Sequence, residues 1–265
     1  MRQQVCKGKF EVLYSADFAQ KAYQNNRKRS VKQVSLTKGL KEKITHYIKH
    51  RYSPEMMVKT KGIKVPIATI YYWILHGHLR FTESDTLYSR KVKANKKQAS
   101  LDFKPAGKSI EVRSESINKR EHFGDFEIDT VIQSRAKNEC LLTLTDTKSR
   151  YQLIRLIPDK SDSSVNQALK AILKEYQINS IKADNGDEFS PLAEVFNPEH
   201  IYYAYPYASW KRGTNKNHNR LIPRWWSKGS KNATQQQVAC IENWINNYPK
   251  KILGYKSPRE FWQSS

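Results

Sequence analysis

Apolar side chains recur with helical spacing in the first third of the chain, thin out through a lysine-rich middle, and return with a period of two from Phe123 onward. Ala16 to Arg29 reads as a helix that ends in the basic cluster Arg27-Lys28-Arg29. Leu40, Ile44, Tyr47 and Ile48 share one helical face, which predicts a second helix over 40–50. Ser53 then offers an N-cap with Pro54 at the first helical position, so 54–60 reads as a short helix. Gly62 breaks it, and Pro66 opens another over 67–75, rich in Ile, Tyr and Trp. A helix, a glycine turn and a helix make the pattern of a helix-turn-helix whose last helix enters a major groove, and on that helix Thr69, Tyr72 and His76 are the candidate DNA contacts. A small three-helix bundle of any function shares this pattern; the basic surroundings favour DNA.

Residues 80–120 have the composition of a linker: Lys91, Lys93, Lys96, Lys97, Lys104 and Lys108 with few aliphatics, punctuated by Pro105 and Gly107. Beyond it, Phe126 to Ile132 alternates, and Cys140 to Thr145 and Gln152 to Ile157 follow at short spacing, as an antiparallel meander does. Val165, Leu169, Ile172 and Leu173 place a helix over 163–176. A strand at 181–184, a helix around 192–196, a strand at 201–205 and further helices complete the order. Three strands, helix, strand, helix, strand is the order of the ribonuclease-H-like α/β fold, a mixed five-stranded sheet in which the first and fourth strands are central neighbours. The expected organisation is a basic helical segment (1–35), a helix-turn-helix region (36–79), a basic linker (80–120) and the α/β core (121–265).

Charge sharpens this division. The 265 residues hold 47 Lys and Arg against 25 Asp and Glu, a formal net charge of +22. Residues 1–120 carry 27 basic and 9 acidic side chains, and 121–265 carry 20 and 16. So large an excess implies a polyanionic partner, double-stranded DNA in the first instance, gripped mainly by the first half. Cys6, Cys140 and Cys240 are odd in number and far apart, so neither a disulfide framework nor a zinc ribbon follows from them, and a reducing, cytoplasmic setting fits best. No apolar run approaches the roughly 20 residues needed to span a bilayer.

The carboxylates collect at strand ends. Asp184-Asn185-Gly186-Asp187-Glu188 follows Ile181-Lys182-Ala183, so acids gather where the strand stops. In open α/β sheets ligands bind at that end. Upstream, Asp125, Glu127 and Asp129 lie on one face by period two, and spacing leaves each of them open as a ligand. Asp187 and Glu188 could approach the site from the turn, but read rather as turn caps or solvated side chains. Of the tryptophans, Trp225, Trp226, Trp244 and Trp262 suit core packing, whereas Trp210, beside Lys211 and Arg212, is a candidate DNA contact. Lys211, Arg212, Arg220 and Arg224 flank the site as candidate phosphate ligands.

Three stretches resemble the signature blocks of the IS-thirty family of DDE transposases: Gly124-Asp125-Phe126-Glu127-Ile128-Asp129-Thr130, Asp184-Asn185-Gly186-Asp187-Glu188-Phe189, and Pro206-Tyr207-Ala208-Ser209-Trp210-Lys211-Arg212-Gly213-Thr214-Asn215-Lys216-Asn217-His218-Asn219. Leu253-Gly254-Tyr255-Lys256-Ser257-Pro258-Arg259-Glu260-Phe261 is similar to its C-terminal block. The resemblance implies a catalytic core with Asp129 and Asp184 as two of three acidic metal ligands, Mg2+ or Mn2+ as cofactor, and element terminal repeats and target DNA as partners of a homo-oligomer. It also implies a glutamate directly after Gly213-Thr214-Asn215, where this chain has Lys216. Two functions are therefore carried forward. One is a transposase, a truncated or degenerate copy impaired at its third acidic position; the other is a DNA-binding protein without catalysis, inert or acting as a repressor at element ends.

Overall fold

The computed structural model describes residues 4–7, 10–13, 15–30, 36–87, 107–132, 139–204, 213–226 and 233–264. They fall into two units, 1–50 and 51–265.

In the first unit, β1 (Gln4–Lys7) and β2 (Phe10–Leu13) pair antiparallel, Gln4 opposite Leu13 and Lys7 opposite Phe10. Two helices follow, α1 (Ala16–Ser30) and α2 (Lys38–Lys49). Thr37 caps α2 by accepting the Leu40 N–H at 3.3 Å, which satisfies one of the orphan donors of a helix start. The hairpin is an addition to the helix expected in this region; strands of four residues leave too little alternation to read.

The second unit begins with α3 (Pro54–Thr60) and α4 (Ile67–Leu75), as the caps and prolines predict. Gly62 between them has φ +66, a left-handed turn that a side chain would strain. The short α5 (Glu115–Lys119) precedes the sheet. The strands are β3 (Asp125–Val131), β4 (Cys140–Asp146), β5 (Gln152–Ile157), β6 (Ser180–Ala183) and β7 (Ile201–Tyr203). Their order is β5-β4-β3-β6-β7, with β3, β4 and β5 antiparallel and β6 and β7 parallel to β3. This is the ribonuclease-H-like sheet expected from the element order, with β3 and β6 as central neighbours. Helix α6 (Asp162–Glu175) joins β5 to β6; α7 (Gly213–Asn219), α8 (Gln235–Asn247) and α9 (Pro258–Gln263) follow β7. The helix expected near 192–196 is instead a 3-10 segment over Asp187–Glu194, kinked at Pro191.

The two faces of the sheet differ. Phe126, Ile128, Leu142, Leu144, Leu153 and Ile181 point into an apolar layer completed by Val165, Leu169 and Ile172 of α6 and by Phe189 and Leu192. By period two, the opposite face carries Asp125, Glu127, Asp129, Thr143 and Thr145. Its outer part is apolar, with Leu141 and Ile154 packed under Ile222, Val238, Ile241 and Ile245.

Both sheet edges are closed. On β5, Asn246 of α8 accepts the Gln152 N–H and donates to the Gln152 carbonyl, each at 2.8 Å, while Glu242, four residues earlier, accepts the Ile154 N–H at 2.6 Å. A helical i,i+4 step advances about 6 Å and a strand i,i+2 step about 6.6 Å, so two α8 side chains can act as a further strand. On the β7 edge, the Tyr203 N–H donates to the Lys108 carbonyl at 2.9 Å and Ser109 bridges Tyr203, with Ile110 buried. The end of the lysine-rich segment, read as linker to residue 120, is therefore docked on the core from Lys108 to Ile110.

Candidate active site

Asp129 lies near the end of β3, and Asp184 follows the last residue of β6. The parallel register pairs Asp125 with Ser180 and Glu127 with Lys182. Two residues further on, it sets Asp129 opposite Asp184. Both carboxylates are held by their surroundings. Asp129 accepts the Thr130 N–H at 3.1 Å on one oxygen and the Asn219 side-chain amide at 2.9 Å on the other. Asp184 accepts the Gly186 N–H at 3.2 Å.

The other two acids on the β3 face are taken up internally. Asp125 accepts the Ser180 hydroxyl. Glu127, 1% exposed at its side chain, pairs with Lys182 and accepts the Asn215 N–H at 3.0 Å. Thus Asp129 is the member of the triplet at the open end, a distinction that spacing left undecided.

Glu188 requires a correction. It is neither a turn cap nor solvated, but 5% exposed, accepting the Thr130 hydroxyl at 3.2 Å and the Lys160 ammonium at 2.8 Å. Its side chain folds over Gly186, where a Cβ would collide with the Glu188 carboxylate. Burial works to lower the Lys160 ammonium, but the hydrogen bond to Glu188 and the charges of Glu188, Asp184 and Asp129 outweigh it and raise the pKa. Lys160 is thus within electrostatic reach of all three acids. The four-residue step from Asp184 to Glu188 was the available signal for Glu188; none marked Lys160. Asp187 is exposed, as expected.

Helix α7 lies over this face. Position 216 is one turn before Asn219, the residue bonded to Asp129, which puts Lys216 in the helix that borders the carboxylates. Asn219 also accepts the Gln152 amide at 2.9 Å. Thr214 accepts the Arg150 guanidinium, and His218 is buried, its Nδ1 3.0 Å from the Thr214 carbonyl. Burial and the neighbouring Lys250 push the His218 pKa well below the usual imidazole value.

The remaining expected DNA contacts divide. On α4, Tyr72 and His76 are exposed and stacked at 3.9 Å between ring centroids, and Thr69 is half-buried. Arg220 is exposed. The Arg224 guanidinium donates to the carbonyls of Ser84 and Leu87, both at 3.0 Å, and ties that segment down. Trp210, Lys211 and Arg212 lie outside the described residues. Trp226 is buried, and Trp262 packs against Phe123, Phe126 and Tyr151, so packing accounts for them as expected.

The donors fit a hard divalent cation in kind, since carboxylate oxygens suit Mg2+, which is commonly held by one or two carboxylates plus substrate phosphates. Among the described residues, no group of three or more His, Cys, Asp or Glu side chains stands together as a cation site. No helix among them is long and apolar enough to cross a membrane.

A ribonuclease-H-like sheet with carboxylates at the ends of its two central parallel strands is the architecture of an integrase-type catalytic core. The chain is 34% identical over 266 residues to the transposase for insertion sequence element IS4351 of Bacteroides fragilis, covering 93% of this chain and 80% of that protein. It belongs to the IS-thirty family of insertion-sequence transposases. Transposase InsI for insertion sequence element IS30C of Escherichia coli (strain K12) is 33% identical over 217 residues, covering 79% of this chain and 55% of that relative's length. No family model matches the chain. Among solved structures, the catalytic core domain of BIV integrase is similar with a TM-score of 0.43 at 15% identity, over 53% of this chain and 94% of that one.

Proposed function

We propose that this chain is built for DNA cleavage and strand transfer at the ends of an insertion element, and that its chemistry is impaired at one position. The observation that carries the reading is the β3–β6 register, which sets Asp129 opposite Asp184. These two carboxylates would hold Mg2+ or Mn2+. When bound, such an ion supplies charge neutralisation at a phosphate undergoing in-line displacement. The chain's own residues orient the carboxylates: Asn219 and the Thr130 N–H fix Asp129, and the Gly186 N–H fixes Asp184. DNA would be gripped by Thr69 and the exposed Tyr72 of α4, by the exposed His76 that follows it, and by Trp210, Lys211, Arg212, Arg220 and Arg224. The working form is a homo-oligomer on DNA.

The impairment rests on Lys216. An ammonium where the family pattern has a carboxylate replaces attraction for a cation by repulsion, and unit charges 4 Å apart are worth about 4 kcal/mol at an effective dielectric near 20. That same residue favours a second reading, a DNA-binding protein without catalysis at element ends. An in vitro cleavage and strand-transfer assay on element-end DNA, with Mg2+ or Mn2+, decides between them. Lys216→Glu is expected to cut DNA that the wild-type chain cuts poorly, and Asp184→Asn in that background is expected to abolish cutting. Wild-type activity equal to that of Lys216→Glu overturns the impairment. Inactivity of Lys216→Glu with intact DNA binding favours the second reading.

A further inference from the structure

Beside α7 lies a cleft of about 490 Å³. Thr214, Asn217 and His218 of α7 form one wall, the start of α3 a second, and the Tyr248 to Ile252 segment a third. Five cations line it, Arg120, Arg150, Arg220, Lys250 and Lys251, against the single carboxylate Glu55. Glu55 is already engaged, by the Tyr255 hydroxyl at 3.0 Å and Lys251 at 3.6 Å. None of Arg120, Arg150, Arg220 and Lys250 forms an ion pair among the described residues. Four cations thus gather around a cavity whose own lining offers them no free carboxylate, with Glu127 and Asp146 acting on Arg150 from outside it.

His218, 4% exposed, is a closed part of the wall, its ring between the Thr214 and Arg150 backbones, and the build of the cleft shows in its arginines. Arg120 and Arg150 have left-handed backbone, at φ 60 and φ 65, where glycine or asparagine is the usual occupant. The Arg150 turn is fixed by Asp146, which accepts the N–H groups of Lys148 and Ser149, and Arg150 itself is 6% exposed with its guanidinium on Thr214. An arginine buried from a strained turn and aimed at a neutral hydroxyl is poorly accounted for by packing alone.

We propose that this cleft is a phosphate-binding pocket that takes one backbone phosphate of the DNA strand engaged beside the carboxylates. The proposal rests on the reading of DNA as substrate, and α7 links the two sites, with Asn215 and Asn219 turned to the β3 acids and Thr214 and His218 to the cleft. Like-charge crowding supports it. Burial and Arg150 push the Lys250 ammonium down to about 7, and burial and Arg120 lower the Arg150 guanidinium to about 10, strains that a bound phosphate relieves.

Two measurements on the full chain test it. In the first, thermal unfolding is followed with inorganic phosphate against chloride at matched ionic strength, for wild type, Lys250→Gln and Arg120→Gln. Phosphate is expected to raise the wild-type midpoint and to raise it less in either variant. In the second, binding to a short mixed-sequence duplex is titrated over salt. Lys250→Gln is expected to flatten the slope of log affinity against log salt by about 0.9, the value of one phosphate contact, whereas Lys170→Gln, at an exposed lysine of α6 on the opposite face of the sheet, leaves it unchanged. Equal phosphate response in wild type and both variants overturns the pocket. A phosphate response with no change in slope overturns DNA as its source and assigns the pocket to free phosphate. Absence of DNA binding by the wild type defeats the functional reading, and the phosphate measurement still decides the pocket.

Discussion

Thr130 donates its hydroxyl to Glu188 Oε1 at 3.2 Å, and the same oxygen takes the Lys160 ammonium at 2.8 Å. Thr130 alternates with Asp129, so it lies on the apolar-face side of β3, and Glu188 reaches the end of the sheet from that side. The acids therefore approach the carboxyl ends of β3 and β6 from both faces, and the 3-10 segment after Asp184 is anchored by its second residue. Glu188→Ala strands the Thr130 hydroxyl and is expected to lower stability by about 1–3 kcal/mol, read as a lower urea midpoint at unchanged m. Glu188→Gln retains an acceptor and should lose less. An alanine variant as stable as wild type would show that the contact contributes nothing.

The pair Glu127 and Lys182 is buried, at 1% and 8% side-chain exposure, beneath the start of α7. Burial lowers the Lys182 pKa, and the charge and hydrogen bond of Glu127 oppose that effect. Lys182→Met leaves Glu127 charged and buried, with an expected loss of about 3–5 kcal/mol. Adding Glu127→Leu should recover much of it, because a pair removed together leaves no uncompensated charge. Denaturant unfolding of both singles and the double measures the coupling, and additive losses would count against it.

Asn246 replaces a missing neighbour of β5. Changing it to leucine orphans the buried N–H and carbonyl of Gln152, at about 1–3 kcal/mol for each group, whereas Asn246→Asp keeps the acceptor and forfeits only the donor. Hydrogen exchange at the Gln152 amide should accelerate in the leucine variant and much less in the aspartate one. Unchanged protection in both would mean that water serves the edge equally well.

Lys250 makes stability depend on pH. Its folded pKa of about 7 lies below the ordinary 10.5, so between these values the unfolded chain binds more protons than the folded one. Stability from this group therefore rises with pH across that window. The unfolding midpoint is expected to climb between pH 7 and pH 9 in the wild type and to climb less in Lys250→Met. Parallel profiles for the two proteins would refute the assignment.

Much of this molecule is written locally. The alternation of Phe126 and Ile128 with Glu127 and Asp129 specifies a strand and the face each side chain takes, because the strand period is two. Ser53-Pro54, Gly62 and Pro66 delimit α3 and α4 through caps and φ restrictions that act within a few residues. The signature blocks around Asp129, Asp184 and Lys216 carried the family assignment without coordinates. What they left open depends on residues far apart in the chain. Thr130 and Glu188 are separated by 58 positions, Arg150 and Thr214 by 64, and Gln152 and Asn246 by 94. No local propensity encodes such contacts. Only the packing of the 3-10 segment against β3, and of α7 and α8 across the opposite face, decided that Glu127 is spent on Lys182, that Glu188 is buried beside Thr130, and that the arginines gather around a cleft.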